Sequence, residues 1–266
     1  PGQAHTKAIE FIRQGSNKPF FMSIGLWETH RDFPVEHPDD DSRYCIPPAP
    51  LPDTPENRED MARFKQSARS LDKKIGMVLN ALDETGLAEN TLVICTTDHG
   101  IAFPRMKCNL EDSGTGVMLI MKGPHGFSGG KVVDSMISQL DIYPTICEYL
   151  NISKPEWLQG NSFLPIIKGE TSQVNEELFF EINYHGSYEP IRAVRTGRYK
   201  YIVRYDRRNA PVLPNCDHGL SKDTWLDKGW RNIAPVDEAL YDLIFDPHEK
   251  NNLVCDASYA EVLSDM

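Results

Sequence analysis

The chain has 266 residues, 40% hydrophobic and 25% charged, with 39 acidic against 28 basic side chains and a formal net charge of -11. That length carries one large α/β domain or a domain with an appended subdomain, and the composition is ordinary for a globular protein. The acidic surplus argues against a nucleic-acid binder, whose affinity for phosphate comes from Lys and Arg. No apolar run approaches the roughly 18 residues that span a bilayer.

Pro1-Gly2-Gln3-Ala4-His5 shows neither the basic region nor the apolar core of a signal peptide. Ala8, Ile9, Phe11 and Ile12 set a helical pattern at once, as a chain would if its natural start lay further upstream. Phe20 to Trp27 is a short apolar run that reads as a buried strand. Glu28 to Thr54, rich in Pro, Asp and His, is too long and polar for a simple connector, and such loops tend to carry function. Thr54-Pro55 supplies an N-cap and a first-turn proline. Met61, Phe64, Ala68, Leu71, Ile75, Val78 and Leu82 then form one apolar stripe on a long helix that Gly86 closes.

Thr91 to Thr97 and Val117 to Met121 read as further buried strands, and Leu140 to Leu150 as a helix. Strand, long helix and strand in this order form a βαβ unit, which predicts a mostly parallel sheet sandwiched by helices. Beyond Pro155 the texture changes. Glu177 to Ile182, Ile191 to Arg195 and Tyr199 to Tyr205 alternate like the strands of a small antiparallel sheet, the last two joined by Thr196-Gly197-Arg198. The expected division is 1–152 for the α/β part and 153–266 for a C-terminal subdomain with this sheet and a terminal helix. Six cysteines lie scattered without CxxC pairs, which argues against a zinc site built from them.

The sharpest local feature is Thr96-Thr97-Asp98-His99-Gly100 at the end of a strand, where open α/β sheets gather their ligands. Asp98 offers a hard oxygen and His99 a neutral nitrogen, both suited to a divalent cation. The tripeptide also suits a plain turn with His99 at the surface. Nine residues on stands Lys107, and far upstream His30-Arg31 follows the first strand. A lysine there could bind the oxygens of an anion, and His30 could donate to a leaving oxygen.

Several segments together resemble the type I sulfatases, the arylsulfatase-like enzymes of the alkaline phosphatase superfamily. Asn90 to Gly100 is similar to their late metal-ligand motif, and Pro19 to Arg31 to the strand and loop that bear a substrate-contacting histidine. Leu71 to Gly76, Ser138 to Ile146, Arg192 to Arg195 with Tyr199 to Tyr201, and Leu240 to Leu253 follow in the family's order. The heparan N-sulfatase group looks nearest, through Ile101-Ala102-Phe103-Pro104 before Lys107 and the proline-rich run from Pro47 to Pro55.

The resemblance implies an alkaline phosphatase-like fold, with Asp98 and His99 as metal ligands, calcium as the usual ion, Lys107 on the sulfate oxygens and His30 near the scissile bond. It implies a formylglycine made from Cys-x-Pro-Ser-Arg, a motif these 266 residues lack, as they lack two early aspartates of the metal site. Cys45-Ile46-Pro47-Pro48-Ala49 lacks the Ser and Arg. The expectation is therefore a sulfatase whose nucleophile lies upstream, acting on a sulfated saccharide outside the cell, in a lysosome or in a periplasm, with this portion inactive alone. Arg31, His185 and Arg192 are candidate sugar contacts, beside Glu181, Asn183, Tyr184 and Arg195. A phosphonate or phosphate ester hydrolase of the same superfamily and a catalytically dead carbohydrate-binding homologue are the rival readings.

Overall fold

The computed structural model describes residues 3–35 and 40–266. Helix α1 (Ala4–Gln14) buries Ala8, Ile9 and Ile12. Ile9 and Ile12 pack on Ala81 and Leu82 near the end of α2 (Pro55–Glu84), with Met22, Val78 and Val93 around them. The start of α2 follows the sequence reading: Thr54 Oγ1 accepts from the Asn57 amide at 3.3 Å and Pro55 occupies the first turn. Its stripe serves two cores, since Met61 and Phe64 meet a second cluster of Leu51, Phe103 and Met106.

The expected strand at Phe20–Trp27 carries no ladder. Its side chains alternate in burial, with Phe21 and Trp27 exposed and Met22 packed inward. A strand needs a neighbour at its edge, and the described residues offer it none. Strands β1 (Val93–Thr96) and β2 (Leu119–Lys122) pair antiparallel, Val93 opposite Lys122 and Thr96 opposite Leu119. The parallel pairing expected across α2 is thus not seen among the described residues. The short turn of helix α3 (Asp112–Thr115) precedes β2.

Helix α4 (Ile142–Tyr149) opens on a reciprocal cap in which Ser138 Oγ accepts from the Leu140 amide and the Ser138 amide donates to Asp141 Oδ2 at 2.8 Å. Asp141, buried, also accepts from the Asn161 amide and from Asn175 Nδ2. That ties α4 to the segment before and after α5 (Leu164–Lys168).

The remaining strands, β3 (Glu177–Tyr184), β4 (Tyr188–Thr196), β5 (Tyr199–Arg204) and β6 (Glu238–Asp242), form a four-stranded antiparallel sheet in sequence order. The alternation read from the sequence locates the first three. The fourth escapes it because Ala239, Leu240, Tyr241 and Asp242 are all buried, which erases the period of two. Helix α6 (Leu220–Asp227) packs back on α2, and α7 (Ala260–Asp265) ends the chain.

The sheet is bolted to the preceding region by ions. Lys200 Nζ, fully buried on β5, donates to Leu110 O at 2.7 Å, to Asp112 Oδ1 and to Thr115 Oγ1. Arg195 on β4 also reaches the Asp112 carboxylate, and Glu249 Oε2 accepts from the Asp112 amide. A buried charge requires such compensation, since burial without a partner costs several kcal/mol. The other Glu249 oxygen, Oε1, lies 3.5 Å from Lys200 Nζ and has no hydrogen-bond partner.

Candidate active site

The strand β1 delivers Thr96 and Thr97 to a corner at Asp98-His99-Gly100. The Gly100 amide donates to Gly114 O at 2.8 Å. A Cβ on Gly100 would meet Ser113 O at 2.0 Å, so only glycine brings this corner against the turn of α3. Asp98 and His99 then project from a fixed base. The Asp98 side chain is 87% exposed, and its Oδ2 stands 3.6 Å from His99 Nε2. His99 Nδ1 is 2.6 Å from Gly100 O. A carbonyl only accepts, so Nδ1 carries the proton and Nε2 of the neutral ring keeps a free lone pair. Among the described residues no third His, Cys, Asp or Glu joins them to make a cluster.

From Gly100 the chain folds back on itself. The Lys107 amide donates to Ile101 O at 3.1 Å, which returns Lys107 to the neighbourhood of the corner. Phe103 and Met106 bury the inside of this loop against Leu51 and α2. The Lys107 side chain is 5% exposed, and its Nζ donates to Asp217 Oδ2 at 2.9 Å. Burial pushes the Asp217 carboxyl up, but the Lys107 hydrogen bond and charge, with His30 and His185 acting from further off, hold it below its usual range. Lys107 thus holds this carboxylate directly, and the charges of His30 and His185 act on it from further off.

Two local devices hold this arrangement. Asn215 Oδ1 accepts from the Ser187 amide at 2.7 Å and its Nδ2 donates to Glu189 Oε2 at 2.7 Å, which fastens the β3–β4 hairpin tip beside Asp217. His30 stacks on Trp27 with ring centroids 4.4 Å apart, and its Nδ1 meets the Arg31 carbonyl. By the reasoning used for His99, His30 therefore turns its Nε2 outward.

Arg31 corrects an expectation. As a sugar contact it would have to present its guanidinium, yet the side chain is buried and fully engaged. Nη1 and Nη2 grip Asp60 Oδ1 and Oδ2 at 2.8 and 2.7 Å, and Nε donates to Ala102 O at 2.7 Å. The rings of Phe33 and Phe103 lie against it at 4.2 and 4.9 Å. Arg31 is a staple between the His30 loop, α2 and the Lys107 loop. Arg192, opposite Glu181 in the β3–β4 register, spends its donors on Ile182 O, Ile191 O and Asn183 Oδ1 and pairs with Glu181 at 3.2 Å. Arg195 is likewise taken, by Asp112. His185 is exposed at the hairpin tip.

Sequence reasoning missed Asp60, Asn215 and Asp217. A signal for the last was present: Asp217-His218-Gly219 repeats the tripeptide of residues 98–100.

The profile of the sulfatase family matches residues 3–152, more than half of the chain. The chain belongs to the sulfatase family. A second profile, that of the N-sulphoglucosamine sulphohydrolase C-terminal region, matches residues 105–216, from the Lys107 loop to the edge of Asp217. Human N-sulphoglucosamine sulphohydrolase is 29% identical over 239 residues, covering 80% of this chain and 47% of the human protein. A Δ4,5-hexuronate-2-O-sulfatase of Bacteroides thetaiotaomicron is 30% identical over 219 residues, covering 78% of this chain and 40% of that protein. The solved structure of the sulfatase YidJ of Bacteroides fragilis superposes with a TM-score of 0.72 at 19% identity, over 100% of this chain and 56% of that one. The fold is therefore the alkaline phosphatase-like fold of the solved sulfatases, and the chain spans about half the length of the relatives it matches.

Proposed function

We propose that the whole protein hydrolyses sulfate esters or sulfamates on a glycosaminoglycan-type sugar. The observation that carries this is the buried Lys107, paired with Asp217 at 2.9 Å on a loop that closes back to the Asp98-His99 corner. Relatives named for N-sulphoglucosamine and for a 2-O-sulfated hexuronate support a sugar substrate. Lys107 would bind the sulfo oxygens, and an ammonium held by one acceptor still has two N–H groups to give. His30, with its Nδ1–H on a carbonyl, would act in its imidazolium form, passing its Nε2 proton to the leaving oxygen or nitrogen and ending as the neutral ring. The nucleophile would be a formylglycine in a segment outside these 266 residues.

Asp98 and His99 fit a divalent cation as two adjacent donors on a rigid base, one hard oxygen and one neutral imidazole nitrogen. Calcium takes six to eight ligands, so these two would form one edge of its shell, with aspartates from outside the described residues completing it. Such an ion, when bound, would supply Lewis acidity at the sulfo group. An extracellular, lysosomal or periplasmic setting follows from the same substrate class, and no helix among the described residues is long and apolar enough to cross a membrane.

The test is sulfate release by the full-length protein from a panel of O-sulfated and N-sulfated disaccharides, read by ion chromatography, with peptide mass spectrometry upstream of Pro1. Release from at least one member, together with a formylglycine peptide, is the expected result. Turnover of phosphate esters alone would overturn the reading. Lys107→Ala should lower kcat/KM by about 100-fold, as loss of one charged transition-state contact does.

A further inference from the structure

The carboxylate on Lys107 is paradoxical at a site that binds an anion. Lys107 Nζ has Asp217 Oδ2 as its hydrogen-bond acceptor among the described residues, at 2.9 Å. Both side chains are largely removed from water, 5% and 25% exposed. The pair is therefore nearly neutral as a unit, and a negative charge stands fixed one hydrogen bond from the group that meets the sulfo oxygens. Lys107 is buried and needs a counter-charge, which Asp217 supplies, and that fixed carboxylate then faces any anion that Lys107 meets.

Resting on the sulfatase reading, we propose that Asp217 is a specificity-determining residue that selects a singly charged ester over a doubly charged one. A sulfate monoester carries one negative charge. A phosphate monoester of the same shape carries close to two above pH 7, since its second ionisation falls near 6. Each added negative charge on the incoming group repels the Asp217 carboxylate across a poorly solvated gap of a few ångströms, where the effective dielectric is far below that of water. Lys107 draws the doubly charged ligand more strongly too, and Asp217 cancels part of that preference, which a bare lysine would keep. The carboxylate stays ionised in that surrounding because Lys107, His30 and His185 offset its burial. The hairpin latch from Asn215 to Ser187 and Glu189 keeps the segment that carries Asp217 in place.

The experiment compares the full-length wild type, Asp217→Asn and Asp217→Glu on three aryl esters at pH 8. These are 4-nitrophenyl sulfate (one charge), 4-nitrophenyl phosphate (two charges) and 4-nitrophenyl phenylphosphonate (one charge, on phosphorus). Asp217→Asn should raise the phosphate-to-sulfate ratio of kcat/KM by about tenfold, and leave the phosphonate-to-sulfate ratio within about twofold, since only the charge differs. Asp217→Glu should keep both ratios near wild type even if absolute rates fall. A purely structural role would lower all three substrates together in both variants, and that result would overturn the proposal while leaving sulfatase activity standing. A rise of the phosphonate ratio equal to that of phosphate would also overturn it, because discrimination would then follow the element. Absence of sulfate and sulfamate turnover in the wild type would instead remove the sulfatase reading, and this proposal with it.

Discussion

Arg31 and Asp60 form a two-pronged ion pair, at 2.8 and 2.7 Å, in which neither side chain is more than 7% exposed. Ser221 closes the third side, its amide and hydroxyl both donating to Asp60 Oδ2. Three segments distant in sequence, the His30 loop, α2 and α6, meet at this one carboxylate. Removing one partner of a buried, hydrogen-bonded pair costs about 3–5 kcal/mol, because the other is left charged and dry. Asp60→Ala should lower stability by that amount in denaturant titrations. The paired change Arg31→Met with Asp60→Leu should lose markedly less.

Gly100 answers to a different constraint. Its Cβ position is filled by Ser113 O at 2.0 Å, a backbone atom that cannot swing aside. Gly100→Ala is expected to cost about 3 kcal/mol as an overpacked site. It should also displace Asp98 and His99, so thermal melts and calcium affinity should fall together. A variant that melts like wild type would show that the corner yields.

Asp98 is 87% exposed and, among the described residues, accepts a hydrogen bond from the His99 amide alone. Its removal should leave the fold intact. In the full-length protein Asp98→Ala is expected to weaken calcium binding at least tenfold by calorimetry, with an unchanged melting temperature in the absence of calcium. Unaltered calcium affinity would refute the metal assignment.

Glu249 is the group whose proton the fold retains. Burial, countered by Lys200 and reinforced by Asp112, raises its pKa from 4.5 to about 7. In the unfolded chain the carboxyl ionises above about 4.5, whereas the folded protein keeps the proton until about 7. The native state thus binds more protons in that window, and this group's contribution to stability falls as pH rises from 4.5 to 7, then stays level. Glu249→Gln should flatten the unfolding free energy across that window and raise it above pH 7. An unchanged slope would show that Glu249 titrates normally.

Much of this was legible in the sequence, and the parts that were not share a physical cause. The Thr54-Pro55 start, the stripe of α2 and the β4–β5 hairpin are local patterns, written within a few residues of where they act. Asp98-His99-Gly100 stands out because a strand end, a carboxylate and a glycine are contiguous. Phe20–Trp27 has the composition of a strand, but a ladder is a property of two segments, and composition reports one. Arg31 reads as a free cation next to a candidate histidine, because nothing in its vicinity announces Asp60, 29 residues away. Asp217 is harder still, 110 residues from Lys107, and the repeated Asp-His-Gly is a cue only once the first copy has a meaning.

The ion cluster of Lys200, Arg195, Asp112 and Glu249 has a practical bearing on any attempt to divide the molecule. Asp112 opens the same helical turn whose Ser113 carbonyl supports Gly100, and two of its three charged neighbours come from strands β4 and β5. A fragment ending near residue 152 would expose the floor beneath the motif and leave Asp112 without either cation. The separate sheet would carry a fully buried lysine into water, keeping Glu249 beside it but losing Asp112. Expression as two pieces should therefore give insoluble halves, whereas coexpressed halves should recombine through this cluster, and inherited or engineered changes on β5 should act on the Asp98 corner without touching it.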